Sequence, residues 1–189
     1  MYKVIGIVGS PRFMGNTEYL VNEALEALKK EGIDTEIVLL GEKRIVPCEA
    51  CGACKALLDC QIADDFQEVY EKMESSDGII IGSPVYFGSA TPQIMALLDR
   101  AGLVAMSKNR AFNRKVGASI AVARRAGANF TFAQLNYFFF INGMIVPGST
   151  YWNVAYGHAP GEVKDDVEAI QTVQNLAANM AWLIKKIKG

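Results

Sequence analysis

KVIGIVGSPRFMGNTEYLVNEALEALKKEGIDTEIVLL, residues 3–40, joins two short β-branched runs through a Gly- and Ser-containing loop and a segment of helical character. Lys3 to Val8 is a β-branched run, apolar without alternation from Val4 on, as in a strand buried on both faces. Leu20, Val21, Ala24, Leu25 and Leu28 recur at helical spacing and share one face. Gly32 follows where a left-handed cap would end that helix, and Glu36 to Leu40 reads as the next strand. Parallel neighbours need a crossover, and crossovers are right-handed, so strand, helix, strand is the unit of a parallel sheet.

The same alternation continues outward from this unit. Gly78 to Gly82, Val116 to Ala123 and Met144 to Val146 read as further strands. Phe66, Val69, Tyr70 and Met73 mark a second helix, with Asp64 and Asp65 as carboxylates at its N-terminus. Helices are also expected near Thr91 to Met106, near Asn129 to Phe140, and from Val163 to Ile187. The expectation is a doubly wound α/β fold: a five-stranded parallel sheet with helices on both faces. The 189 residues suit one compact domain, 1–189, and contain no linker, low-complexity tract or fixed-period repeat. The connection from Gly41 to Ala63, about 41–63, is longer than usual between such elements, and long ordered loops are commonly functional.

Composition removes several function classes. The formal charge is −1, with Lys and Arg nearly balancing Asp and Glu, so the chain lacks the field that would hold nucleic acid. The N-terminal apolar run is too short for a signal peptide. Phe130 to Val146 is broken by Gln134, Asn136, Asn142 and Gly143, and falls short of the ~18 uninterrupted apolar residues of a bilayer span. A soluble, cytoplasmic protein with no membrane partner is expected.

Ligands of open parallel sheets collect at the carboxyl ends of the strands, near the point where strand order reverses. After the first strand, Gly9-Ser10-Pro11-Arg12-Phe13-Met14-Gly15-Asn16-Thr17 brings hydroxyls, an amide and a cation to a helix N-terminus, which suits a terminal phosphate. Neither the dinucleotide fingerprint nor a Walker loop is present. An ordinary capped helix start is the alternative. After the third strand, Pro84-Val85-Tyr86-Phe87-Gly88 offers aromatics and a flexible glycine to a flat ring, or simply covers the sheet end. After the fourth, Arg124, Arg125 and Gly127 place guanidinium groups at the same rim. They could meet the edge of a ring that turns anionic on reduction, or a nicotinamide phosphate; a solvated basic turn is the alternative.

The only cysteines, Cys48, Cys51, Cys54 and Cys60, form C-x2-C-x2-C-x5-C within the long loop. In a reducing compartment such spacing reads as a metal or redox site rather than as disulfides. Four thiolates in one short loop can wrap a [4Fe-4S] cube, each iron taking one soft ligand. Zinc, which favours two separated C-x2-C pairs, and redox-active free thiols stay open. His158, the only histidine, lies in a Gly-rich stretch and reads as a surface residue, and no hydrolytic or other catalytic constellation can be assembled.

Taken together, Gly9-Ser10-Pro11-Arg12 with Gly15-Asn16-Thr17, the Pro47 to Cys54 block with Cys60 and Asp64-Asp65, and Ser83 to Gly88 resemble the iron-sulfur flavoproteins. These form a group within the flavodoxin-like NAD(P)H-dependent FMN reductases. The resemblance covers nearly the whole chain and implies a flavodoxin-like fold. It implies that Ser10, Arg12, Asn16 and Thr17 hold the FMN phosphate, and that Pro84, Val85, Tyr86, Phe87 and Gly88 meet the isoalloxazine and ribityl chain. It also implies that the four cysteines carry a [4Fe-4S] cluster. The activity implied is electron transfer between a carrier such as ferredoxin and a small oxidant, by a homodimer or homotetramer. Tyr137 to Phe140 and Tyr151-Trp152 are candidate interface surface, although burial in the core explains the former equally well. A cluster-free NAD(P)H-dependent FMN or quinone reductase is the alternative enzyme, and a flavin- or zinc-binding assembly protein the alternative of another class.

Overall fold

The computed structural model describes residues 1–189. Its strands are β1 (Lys3–Val8), β2 (Asp34–Leu39), β3 (Gly78–Pro84), β4 (Val116–Ala123) and β5 (Val154–Tyr156). They form one sheet in the order β2-β1-β3-β4-β5, and every pairing is parallel. The helices are α1 (Asn16–Lys30), α2 (Cys54–Leu57), α3 (Phe66–Ser75), α4 (Pro92–Ser107), α5 (Ala128–Ile141) and α6 (Val167–Lys188).

Side chains alternate across the sheet, so each strand feeds two cores. Val4 and Val8 of β1, Ile80 of β3 and Ile120 of β4 pack beneath α1 and α6. Ile5, Ile7, Ile79 and Ile81 face the opposite core, made with α3, α4 and α5. This is the doubly wound arrangement expected. Glycines on the first face let α1 lie close: a Cβ at Gly82 would stand 2.5 Å from Val21 Cγ2. That approach brings the N-terminus of α1 to the carboxyl ends of β1 and β3, where the strand order reverses.

The fifth strand departs from the sequence expectation. Met144 to Val146 makes only a single bridge, Val116 to Ile145, at the start of β4. Pro147 and Gly148 follow at once, and proline has no N–H to extend a ladder. The chain pairs again only at Val154–Tyr156, against Ala121 to Ala123. The loop beginning at Gly157 therefore reaches the ligand rim. Smaller differences lie at element ends: β2 begins at Asp34, Leu40 starts a 3-10 turn, and Glu162–Asp165 form a 3-10 turn before α6, whose N-cap is Asp166. Gly32 takes a φ of 77°, as its capping place requires. No helix is long and apolar enough to cross a membrane.

Candidate functional site

Where β1 meets α1, a cavity of about 110 Å³ is lined by Ser10, Arg12, Gly15, Asn16, Thr17, Pro84, Val85, Tyr86 and Arg124. The loops after β1, β3 and β4 thus converge, as their sequences suggested. As the opening residues of α1, Asn16, Thr17 and Glu18 have N–H groups with no carbonyl four residues back inside the helix to accept them, and the helix dipole adds partial positive charge. Ser10 Oγ accepts from Arg12 N at 3.2 Å, which curls the loop. The cavity is smaller than the ~300–1,000 Å³ of whole-ligand pockets, so it fits a phosphate with the start of its chain and leaves a ring on the rim. The residues present fit FMN on that observation.

Val122, Gly157, His158 and Pro160 line the same cavity and were missed, because the misplaced fifth strand hid the loop that follows it. His158 is exposed, as read from the sequence, yet it forms part of this wall. Asn16 ties that loop down: its Nδ2 donates to the Ala159 carbonyl at 2.9 Å, and its Oδ1 accepts from Gly161 N at 2.8 Å. Arg12 Nη1 reaches the His158 carbonyl at 3.2 Å across the mouth. Two of the three phosphate-loop side chains named beside Thr17 are therefore also loop tethers.

The rim beyond β3 is a tight turn. Tyr86 and Ser89 exchange backbone hydrogen bonds at 2.8 and 3.0 Å, with Phe87 at φ 50° and Gly88 at φ 81° between them. Positive φ is natural for Gly88 and costly for an aromatic residue. Phe87 is nonetheless wholly exposed at 110 %, so packing against this chain does not account for the strain. Gln134 of α5, which sequence reasoning did not single out, accepts from Ser89 Oγ at 3.0 Å and Ala90 N at 2.8 Å, pinning the end of the turn. Gly127 packs against it, since a Cβ there would stand 2.9 Å from Val85 Cγ1. Phe87, Gly88, Arg125 and Gly127 do not line the phosphate cavity; Arg125 is exposed on the loop after β4.

All four cysteines line a second cavity, of about 250 Å³, together with Ile62, Arg100, Leu103 and Val104. Cys51 is exposed, and Cys48, Cys54 and Cys60 are half-buried. No three of them close on a single point as ligands of one ion do. Tetrahedral zinc needs its sulfurs at ~2.3 Å from one centre, whereas a cube spreads its thiolates over four separate irons. Four thiols lining one cavity supply the soft donor set that such a cluster takes, one thiolate to each iron. Ala50 at φ 53° and Gly52 at φ 74° turn the loop tightly between the first three cysteines.

Beneath this cavity Arg100 and Asp64 form a buried two-pronged ion pair, at 2.6 and 2.9 Å. Asp64 also accepts from Val46 N at 2.8 Å and Phe66 N at 3.1 Å, so it closes both ends of the cysteine loop and starts α3. Burial pushes the Asp64 carboxyl up, but Arg100 and the two backbone donors outweigh it and hold it below its ordinary value. Burial likewise pushes Arg100 down, and its hydrogen bonds with Asp64, together with the influence of Cys60, carry it above its usual value. α4 runs from the loop after β1 to the cysteine cavity, which it lines with Arg100, Leu103 and Val104. Its N-cap, Thr91, donates from Oγ1 to the Gly9 carbonyl at 2.8 Å beside the phosphate loop. Arg100 lies nine residues on, about 14 Å along the axis.

The family model for NADPH-dependent FMN reductases matches residues 2–159. An iron-sulfur flavoprotein of Methanocaldococcus jannaschii is 42% identical over 98% of this chain and 99% of its own. One from Methanosarcina thermophila is 37% identical over 98% of this chain and 97% of its own. Among solved structures, RosB with bound 8-demethyl-8-formylriboflavin-5'-phosphate superposes with a TM-score of 0.80 at 20% identity, covering 100% of this chain and 81% of that one. A flavodoxin from the domain Archaea gives 0.65 at 14% identity, covering 97% and 99%. The fold is flavodoxin-like.

Proposed function

Because the chain belongs to the NADPH-dependent FMN reductase family and groups there with the iron-sulfur flavoproteins, we propose that this flavoprotein oxidoreductase pairs its FMN with a [4Fe-4S] cluster on Cys48, Cys51, Cys54 and Cys60. It is read as a single domain that takes electrons from ferredoxin or a similar carrier and passes them to a small oxidant such as dioxygen, peroxide or a quinone. The observation that carries this reading is the cavity shared by all four cysteines, set against the helix whose N-terminus is bonded to the phosphate loop.

Bound flavin exchanges one or two electrons and a cluster one, so the pair connects two-electron chemistry with one-electron carriers. The chain's own residues bind and orient. The N–H groups opening α1, with Ser10, Arg12 and Thr17, hold the phosphate; Asn16 fixes the loop from Gly157 as the opposite wall. Pro84 to Gly88 would carry the ring; of these Pro84, Val85 and Tyr86, with Arg124, line the cavity itself. Val104, fully buried, and half-buried Ile62 screen the inner side of the cysteine cavity from water. No protein acid or base is required. The exposed residues Leu103, Met106, Tyr137, Phe140 and Ile141 line an apolar groove of about 600 Å³ between α4 and α5, which suits a homo-oligomer contact.

The test is the visible spectrum and the iron, acid-labile sulfide and zinc content of anaerobically purified protein. Flavin bands with about four irons per chain support the proposal. Flavin without iron or sulfide after anaerobic reconstitution leaves the cluster-free NAD(P)H-dependent reductase, to which Arg124 at the cavity mouth would contribute by meeting a nicotinamide phosphate. Rapid bleaching of the flavin by NADPH would mark that case.

A further inference from the structure

At the floor of the cysteine cavity α4 carries a cation one of whose nitrogens, Nε, has no hydrogen-bond partner. Arg100 is 2 % exposed. Its Nη1 donates to Asp64 Oδ2 at 2.6 Å and to the Val46 carbonyl at 3.0 Å, and its Nη2 donates to Asp64 Oδ1 at 2.9 Å. The Phe66 ring covers one face, with its centroid 4.1 Å from Arg100 Cζ. Nε remains, buried and without a partner. Guanidinium donors lie in one plane, so an end-on fork through both terminal nitrogens turns the Nε–H edge away from the carboxylate.

Three observations say what that edge is for. Arg100 lines the cavity that the four cysteines line. Of those thiols, Cys60 is half-buried and packs on the core that includes Phe66, the ring stacked on the guanidinium, and its influence helps hold Arg100 above its usual value. Stability alone does not explain the pair either, since apolar side chains of similar volume serve as well in such places, and buried donors are seldom left orphaned. Were the pair purely structural, a side-on fork through Nε and one Nη, with the Val46 carbonyl on the other, would leave no guanidinium nitrogen without a partner.

We propose that Arg100 is a positioning residue whose Nε–H donates to sulfur at the Cys60 corner of the cluster, raising the cluster's reduction potential. This rests on the cluster reading given above. A donor at a cluster sulfur favours the reduced, more negative state, and hydrogen bonds to the sulfurs are among the factors that set these potentials. Asp64 neutralises the guanidinium charge, so the influence is directional and belongs to the Nε–H bond. The same pair that closes the loop thereby tunes what the loop holds.

The test compares the wild-type protein, loaded with FMN and cluster, with Arg100→Lys, which keeps a cation for Asp64 and lacks the Nε donor. The variant should retain FMN and about four irons while its equilibrium constant for one-electron cluster reduction falls about tenfold, a midpoint about 59 mV lower. A fully loaded variant with the wild-type midpoint overturns the proposal. Wild-type protein grown with Nε-¹⁵N-arginine gives a readout that does not depend on the variant folding. Pulsed electron paramagnetic resonance of its reduced cluster should show ¹⁵N coupling, because Arg100 is the arginine that lines this cavity. No coupling overturns the proposal as well. If reconstituted wild-type protein holds neither iron nor sulfide, the cluster reading itself falls; if it is iron-replete and these signals are missing, only the role of Arg100 falls.

Discussion

Thr17 and Asn16 stand side by side at the start of α1, yet their side chains do different work. Thr17 is 2 % exposed and lines the phosphate cavity, while the Asn16 amide is engaged with the loop from Gly157. Thr17→Ala should cost one hydrogen bond to a charged group, about 1.5–3 kcal/mol, and weaken FMN binding roughly 10- to 100-fold in a fluorescence-quenching titration. The cysteine cavity should be untouched. Asp64 governs a different property. Its folded value lies below the ordinary carboxylate value, so the native state binds fewer protons than the unfolded chain as pH falls. The stabilisation is complete above about pH 4, the ordinary carboxylate value, and is lost as pH drops through the lower folded value. Urea midpoints should therefore hold between neutrality and about pH 5, then fall steeply below about pH 4. Asp64→Asn strands a buried cation, and should cost about 3–5 kcal/mol at neutral pH and flatten the acid limb of the same titration.

The two-residue turn between Tyr86 and Ser89 is strained where it meets the ligand rim. Phe87→Gly relieves a left-handed aromatic residue, and a non-glycine residue there costs about 1–2 kcal/mol. The variant should be as stable as wild type or more so by urea unfolding, and should bind FMN more weakly; weaker folding with unchanged flavin affinity would remove the turn from the site. Another element, the cysteine loop, hangs on the Asp64–Arg100 pair rather than on the phosphate cavity. Cys51→Ala should accordingly abolish iron and sulfide in anaerobic protein and leave FMN binding at its wild-type level, and loss of both cofactors would join two sites treated as separate. The misplaced fifth strand is the instructive element. Met144 to Val146 and Val154 to Tyr156 are both short β-branched or aromatic runs, and only the register against β4 separates them. Choosing the first concealed Gly157, His158 and Pro160 from the list of cavity residues.

Across the whole molecule, the groove between α4 and α5 leaves Leu103, Met106, Tyr137, Phe140 and Ile141 exposed, and Leu103 also lines the cysteine cavity. An oligomer formed there would bring a partner subunit beside the cysteines. Phe140→Glu should lower the mass measured by light scattering to that of one chain while preserving bound FMN, and an unchanged mass would move the interface elsewhere. Tyr137 and Phe140 were expected either to serve an interface or to fill the core. The helix divides that run, turning Phe138 and Phe139 inward and the other two outward.

By itself the sequence determined the doubly wound architecture, the Gly- and Ser-containing loop that lines the cavity at the start of α1 and the grouping of the cysteines, because each is written in neighbouring residues: hydrophobic period, turn chemistry and ligand spacing act over a few positions. Only the tertiary structure decided which short run becomes β5, that Asn16 binds a loop more than 140 residues away in the chain, and that Arg100 lies under the thiols with its Nε unpartnered. Those depend on strand register and on pairs brought together by packing, and the energy that selects them comes from contacts that exist only once the chain has folded.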